Sequence, residues 1–426
     1  MTKIKMFSLS LVAFAIISCG GDTTETNTKT VGKNSNVAPG LESNTSSESS
    51  SAKDNIFRLN FSDPPTFDPA LVTDTTSASI IVEIFSGLVT LNKELDIIPD
   101  LAESWDISDD GRIYTFNLRD DIKFSNGDKV TASDFKWSIE RAANPDTGSM
   151  NAEVYLGDIV GVTEVIEAGG SLTEVSGLKV IDDKTLEITI DEPKTYFLAK
   201  LTYPTAFVLS EKYVTQQGED WIDQPVGTGP FVMTEYQIGQ TLKLKPNDNY
   251  WGEKAKVDGI IMNLAGGVSM AMYENDEVDI TGVGLADLER VKNPNDPLNK
   301  DLVNVPPQFS LNYIGFNVNM PPFDDVNFRK ALSHAVDKEI IADKIYSGLT
   351  KPAFSIIPPG FPGYSPNIEG LSFDEELAKE YLAKSKYADP ASRPRIIVTI
   401  PGTGGSPGLD TEVISDMWKE TLGVEV

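Results

Sequence analysis

The sequence predicts a mixed α/β (α+β) protein folded as at least two lobes, and three observations carry that prediction. The chain has 426 residues, more than one hydrophobic core usually supports. Stretches that alternate apolar and polar residues are interleaved with stretches of helical periodicity along the whole body, with no fixed-period repeat. Turn signals such as Asp109-Asp110-Gly111 and Asn126-Gly127 separate them. Hydrophobic residues make up 40% and charged residues 23%, as in an ordinary folded protein.

The N-terminus reads as an export signal. Lys3 and Lys5 form a basic start, and residues 6–17 are apolar apart from two serines. That stretch is shorter than the roughly 20 residues a spanning helix needs. It ends in Ile16-Ile17-Ser18-Cys19-Gly20, which resembles a bacterial lipobox, so residues 1–19 are expected to be a lipoprotein signal and Cys19 the lipidation site. An anchor with several acyl chains holds a protein stably at a membrane. Residues 20–54 are rich in Ser, Thr, Asn and Gly and lack aromatics; they are expected to be a disordered linker. As a flexible coil such a linker spans about 30–35 Å.

The folded body begins at residue 55. Residues 56–61 have strand propensity, stopped by Pro64-Pro65. Residues 79–88 present one apolar helical face closing at Gly87. Residues 105–107 and 113–118 form a hairpin about Gly111, with Tyr114, Phe116 and Leu118 on one face. Thr131 caps a helix with Asp134 in its first turn; Phe135, Ile139 and Ala142/Ala143 are its buried stripe, and Asn144-Pro145 ends it. Residues 186–190, 241–245 and 396–400 read as strands. Asp324-Asp325 caps a long helix over 325–346, with Phe328, Leu332, Ala335/Val336 and Ile340 on its apolar face. Residues 411–422 form a last helix with Ile414, Met417/Trp418 and Leu422 inward.

Composition removes several function classes. One cysteine and one histidine leave no intrachain disulfide, no Cys/His zinc cluster and no Cys–His nucleophile pair. His334 sits within the long helix beside a buried pair and reads as packed rather than catalytic. A formal net charge of −28 repels a phosphate backbone, so no nucleic acid is expected as a partner. With 64 acidic residues, carboxylate pairs by themselves signal nothing.

The order of blocks is more specific than any one block. Residues 91–105, 111–124 and 125–140 come one after another. Gly227-Thr228-Gly229-Pro230-Phe231 runs on to Asn247-Asp248-Asn249-Tyr250-Trp251-Gly252. Residues 313–317 precede Pro321-Pro322-Phe323-Asp324-Asp325 and Phe328-Arg329-Lys330-Ala331-Leu332, and Met417-Trp418-Lys419-Glu420 leads to Leu422-Gly423-Val424. Together they resemble family 5 of the extracellular solute-binding proteins, the peptide/nickel class that feeds ABC importers and is typified by oligopeptide- and dipeptide-binding proteins. Tyr250-Trp251 on its own reads as core, and the glycines as tight backbone paths.

The resemblance implies a two-lobed periplasmic-binding-protein type II fold with three subdomains. Residues 55–90 and 205–312 would form domain I, 91–204 domain II and 313–426 domain III. It implies a monomer that is no enzyme and needs no cofactor or metal. The solute would be held in a cleft that closes by hinge motion and passed to a permease and ATPase complex. In peptide-binding members the ligand's main chain pairs with strand-like segments, a mode that gives affinity without strong sequence selectivity. By position, the segment with Ser62, Asp63 and Thr66 supplies such contacts, followed by Tyr155, Tyr313 and Asn317. In that family the chain continues past the position of Val426, and the continuation carries the acidic residue that pairs with the peptide α-amino group; the third subdomain and the fold are therefore expected to be incomplete at the C-terminus. Within the same fold, an oligosaccharide or metal chelate is the alternative solute. A secreted hydrolase using two carboxylates is the alternative from another class.

Overall fold

The computed structural model describes residues 55–305, 310–357, 363–368, 370–400 and 408–426. The expected signal, Cys19 and linker lie outside the described residues. One compact unit runs to Gly282 and a second begins at Val283.

The strands of the first unit are β1 (Ile56–Asn60), β2 (Val89–Leu91), β3 (Ile97–Pro99), β4 (Ala102–Ile107), β5 (Ile113–Leu118), β6 (Leu178–Asp182), β7 (Thr185–Thr189), β8 (Phe231–Gln237), β9 (Thr241–Pro246) and β10 (Gly259–Asn263). They form a sheet ordered β1-β10-β9-β8, a sheet ordered β4-β5-β7-β6 and a two-stranded ribbon β2-β3. Among these strands β1 and β10 pair in parallel, Ile56 opposite Gly259; the other ladders are antiparallel. Its two longest helices are α1 (Thr75–Ile84) and α2 (Ala132–Ala143).

Local chemistry explains most of these elements. β5 alternates as expected, with Tyr114, Phe116 and Leu118 buried on one face. The turn before it places Gly111 at φ 71°, open to glycine at little cost. At the start of α2 the Thr131 backbone N–H and hydroxyl both donate to the Asp134 carboxylate, at 2.9 and 2.7 Å. Phe135, Ile139, Ala142 and Ala143 are buried as predicted.

Two hydrophobic clusters fill the first unit. One gathers the inner face of β4–β7, α2 and Phe197; the other gathers β1, β8–β10, α1 and Trp221. They are stitched together by polar contacts. The Ser138 hydroxyl accepts from Leu209 N–H at 2.8 Å, Ser125 N–H donates to Gly227 O at 2.8 Å, and Asn249 Nδ2 donates to Ser125 O at 3.0 Å. Gly227 and Gly229 lie where a Cβ would collide with the carbonyl oxygens of Ile84 and Glu83, so no larger residue fits without moving backbone.

The second unit packs α3 (Val326–His334), α4 (Glu375–Lys384) and α5 (Leu409–Leu422) around Phe328, Leu332, Leu382, Tyr387 and Trp418. The Asp325 carboxylate caps α3 by accepting from Asn327 N–H and Phe328 N–H.

Three sequence expectations need correction. α1 ends at Ile84, before Gly87, because Phe85 turns extended (φ −122°) into the core while its N–H still reaches Ile81 O. The long helix over 325–346 is broken: α3 stops at His334, whose carbonyl accepts from Asp374 N–H. Asp337 then caps a new turn by accepting from Glu339 N–H and Ile340 N–H, and a π-helical turn Ile341–Ile345 comes next. A short polar side chain competing for backbone donors ends one helix and starts another. Ile340 is consequently exposed rather than on the buried face. Residues 396–400 are not a strand: they pair with no neighbour among the described residues, although Ile396 is buried in the core.

Candidate functional site

The parallel pair β1–β10 sends two chain segments out of the carboxyl ends of its strands, where open sheets most often place ligands. The segment after β1 carries Ser62, Asp63 and Thr66. It is held at several points. Phe61 N–H donates to Asn263 O at 2.9 Å. The Asp63 carboxylate accepts from the Tyr236 hydroxyl at 2.7 Å and from Gly239 N–H at 2.6 Å. Thr66 N–H donates to Ser77 Oγ at 3.2 Å, and the Thr66 hydroxyl accepts from Asp68 N–H at 3.0 Å. Ser62 is left exposed between these anchors.

Asp68 closes the segment. It is 2% exposed, and Arg141 of α2 grips both its oxygens, at 3.0 and 2.5 Å, while Ala70 N–H donates to it as well. The Arg141 guanidinium also lies 5.5 Å from the Trp221 ring centre.

Tyr155 is half-buried and stacks on Tyr203, ring centres 3.7 Å apart and planes 4° from parallel. Asn151 donates to Val72 O at 2.7 Å and to the Tyr203 hydroxyl at 3.2 Å, which ties this pair to the chain just after the Asp68 region. In the second unit Tyr313 is 76% exposed. Asn317 is exposed, and its Oδ1 accepts from Asn319 N–H at 3.1 Å, a local turn that occupies one of its acceptor sites. The structure thus engages Asp63, Thr66 and Tyr155 in contacts of their own and leaves Ser62 and Tyr313 open. Reasoning from sequence missed the partners Tyr236 and Tyr203, which lie 173 residues from Asp63 and 48 from Tyr155. No local pattern signals such distant pairs.

A second polar cluster lies where α1 leads into β2. Burial pushes the Glu83 carboxyl up to about 7, and burial pushes Asp100 up to about 7 against the opposing pull of Gly87 N–H and Arg119. Burial, then the charges of Asp100 and Glu83, push the Tyr250 phenol up to about 12. Arg119 donates from Nε to Asp100 O at 2.6 Å and lies 3.9 Å from the Trp251 ring centre. Tyr250-Trp251 is accordingly packed among these groups. His334 is also packed: it is 6% exposed, its Nδ1 donates to Ser372 O at 2.7 Å, and its ring stacks on Tyr381.

Proton binding sets the sign of the pH effect. Both acids hold a proton in the fold at a pH where the unfolded chain, with ordinary values of about 3.9 and 4.3, has released it. Stability is therefore lost as pH rises from about 4 to about 7 and is level above. Asp110, Asp120, Asp182 and Asp324 are held low by partners and act in the opposite sense on acidification. A difference measurement isolates the buried pair. Glu83→Gln and Asp100→Asn are each expected to gain on the order of 2 kcal/mol over wild type at pH 8 relative to pH 4.5. Melting curves across pH that run parallel for variant and wild type would count against this.

Comparison with known proteins decides what these contacts belong to. The profile of the bacterial extracellular solute-binding proteins, family 5 middle, matches residues 96–426.

This chain belongs to that family.

It is 31% identical over 380 residues to the oligopeptide-binding protein OppA of Bacillus subtilis, an alignment covering 85% of this chain and 68% of that one. It is 30% identical over 393 residues to the probable deoxycholate-binding periplasmic protein YgiS of Escherichia coli, covering 88% and 71%. Among solved structures, the murein tripeptide binding protein MppA of Escherichia coli superposes with a TM-score of 0.75 at 26% identity, covering 88% of this chain and 74% of that one. The fold is that of the type II peptide-binding proteins. A member of this family is the solute-binding component of an ABC importer and not an enzyme, and the two-carboxylate hydrolase is set aside. Among the described residues, no helix is long and apolar enough to cross a membrane.

Proposed function

We propose that this family 5 solute-binding protein captures peptides outside the cytoplasmic membrane and delivers them to a membrane permease driven by an ATPase. The observation that carries the reading is family membership together with the relatives named for oligopeptides and murein tripeptide. The β1 exit supports it physically: it offers an extended, well-anchored segment with Ser62 open, the kind of edge a peptide main chain can pair with. Ser62, Thr66 and Tyr155 are its proposed contacts in the first unit, and Tyr313 and Asn317 in the second.

The proposal includes the three-domain division at 55–90 with 205–312, 91–204 and 313–426. It draws support from the two separate cores of the first unit, one of them built mainly from residues 88–208. The compact units themselves part at Gly282, which groups 283–312 with residues 313–426. It also includes a monomeric state, and a lipid anchor at Cys19 that acyl labelling dependent on Cys19 would check.

The test is a thermal-shift panel of di- to penta-peptides, oligosaccharides, metal chelates and deoxycholate. A ligand that binds only the folded state at 100 times its Kd adds about 2.7 kcal/mol. A rise in Tm confined to peptides is the expected result. A rise only with sugars, chelates or the bile acid, for which the likeness to YgiS gives a specific reason, replaces the ligand and keeps the import role. No rise with any member of the panel overturns the peptide reading.

A further inference from the structure

Asp63 is the one acidic residue in the exposed stretch after β1, and by charge alone it is the obvious partner for a cation on a bound peptide. Its carboxylate is already engaged. One oxygen accepts from the Tyr236 hydroxyl at 2.7 Å and the other from Gly239 N–H at 2.6 Å, both in the β8–β9 hairpin. The Tyr236 ring is fixed in turn, meeting the buried Phe67 edge-on with centres 4.8 Å apart. Gly239 takes the left-handed turn (φ 65°) that aims its N–H at the carboxylate. Pro64 is buried and Pro65 restricts the chain beside it. We propose that Asp63 is a positioning residue, which latches the β1 exit to the β8–β9 hairpin and so presents Ser62 and its neighbours in a fixed conformation, rather than a charge that pairs with the ligand. The Tyr236 phenol is held protonated, well above its ordinary value, by burial and by its bond to Asp63, so the latch persists across the neutral range.

The physical gain is preorganisation. A segment that pairs with a peptide main chain loses conformational freedom on binding, and a segment already fixed loses less. The affinity contributed by the latch should then be blind to the charge of the ligand. This inference rests on the reading of residues 62–66 as peptide-contacting, whereas the latch itself can be tested without ligand.

The experiment uses Asp63→Ala, Asp63→Asn, Tyr236→Phe and the Asp63→Ala/Tyr236→Phe double variant, with a tight-binding peptide from the panel above and its N-acetylated form. Asp63→Ala is expected to weaken both peptides equally, by about tenfold. Asp63→Asn, which keeps one acceptor, is expected to recover most of that loss, and the double variant to be no weaker than Asp63→Ala, since the two residues act through one contact. In the unliganded protein, Asp63→Ala should speed hydrogen exchange at Phe61 and Thr66 about tenfold while leaving the β5 and β7 amides unchanged. A loss that vanishes for the acetylated peptide, or an Asn variant as weak as the Ala variant, would show that Asp63 pairs with a ligand cation and overturn the proposal. Unchanged exchange at Phe61 and Thr66 would overturn it too. If no peptide binds the wild type, the peptide reading fails, and the exchange measurement still decides the latch.

Discussion

Arg141→Ala is expected to destabilise the first unit by about 3–5 kcal/mol. Its partner Asp68 is 2% exposed, and no other cation is bonded to it among the described residues. Removing the guanidinium leaves a buried carboxylate with only the Ala70 N–H, and water reaches it poorly. The cost is that of an uncompensated charge, not the modest worth of the pair. For a unit of this size the Tm should fall by on the order of 10 °C, measured by calorimetry at pH 7. Removing both charges tests the cause. Arg141→Met combined with Asp68→Leu should recover more than half of the loss, because a buried pair can often be replaced by apolar groups at little cost. A single-variant loss below about 1 kcal/mol would mean the pair is solvated like a surface bridge. The same contact joins the β1 exit to α2, so the variant should also loosen the segment that carries Ser62.

Trp418→Ala should cost the second unit about 3–5 kcal/mol. Trp418 is 3% exposed, packs with Phe328, Leu332 and Leu422, and donates from Nε1 to Leu332 O at 2.9 Å. Truncation opens a cavity between α3 and α5 and leaves that carbonyl without the indole donor. Hydrogen exchange read helix by helix is the right measurement. The amides of α3 and α5 should lose protection, and those of β4–β7, in the other unit, should not. Equal loss in both places would mean the two units unfold as one.

The elements legible in the sequence were those whose signal is local. The β4–β5 hairpin, α2 with its Thr131–Asp134 cap, and α5 each announce themselves through periodicity plus a turn or cap residue, and the structure forms all three. The helix expected over 325–346 failed for an equally local reason that periodicity hides: Asp337 offers the backbone a better cap than it offers the helix a side chain. Residues 396–400 failed for the opposite reason. Their apolar composition suits a strand, but a strand exists only through its partner, and composition does not supply one. Within the candidate site, position in the block order picked out Ser62, Asp63, Thr66 and Tyr155. It did not separate the residues that face outward from those tied to the scaffold.

By itself, then, the sequence determined the class of the fold, the family through an ordered series of blocks, and the exclusions that one histidine, one cysteine and a charge of −28 impose. These depend on composition and on contacts between near neighbours in the chain. Only the tertiary structure decided that Asp63 is bonded to Tyr236, that Asp68 is buried against Arg141, and that Glu83 and Asp100 keep their protons near neutrality. Each of those outcomes depends on which distant group is brought within about 3 Å and on how much water is removed. Desolvation and partner charge are properties of the packed neighbourhood, and no stretch of sequence carries them alone.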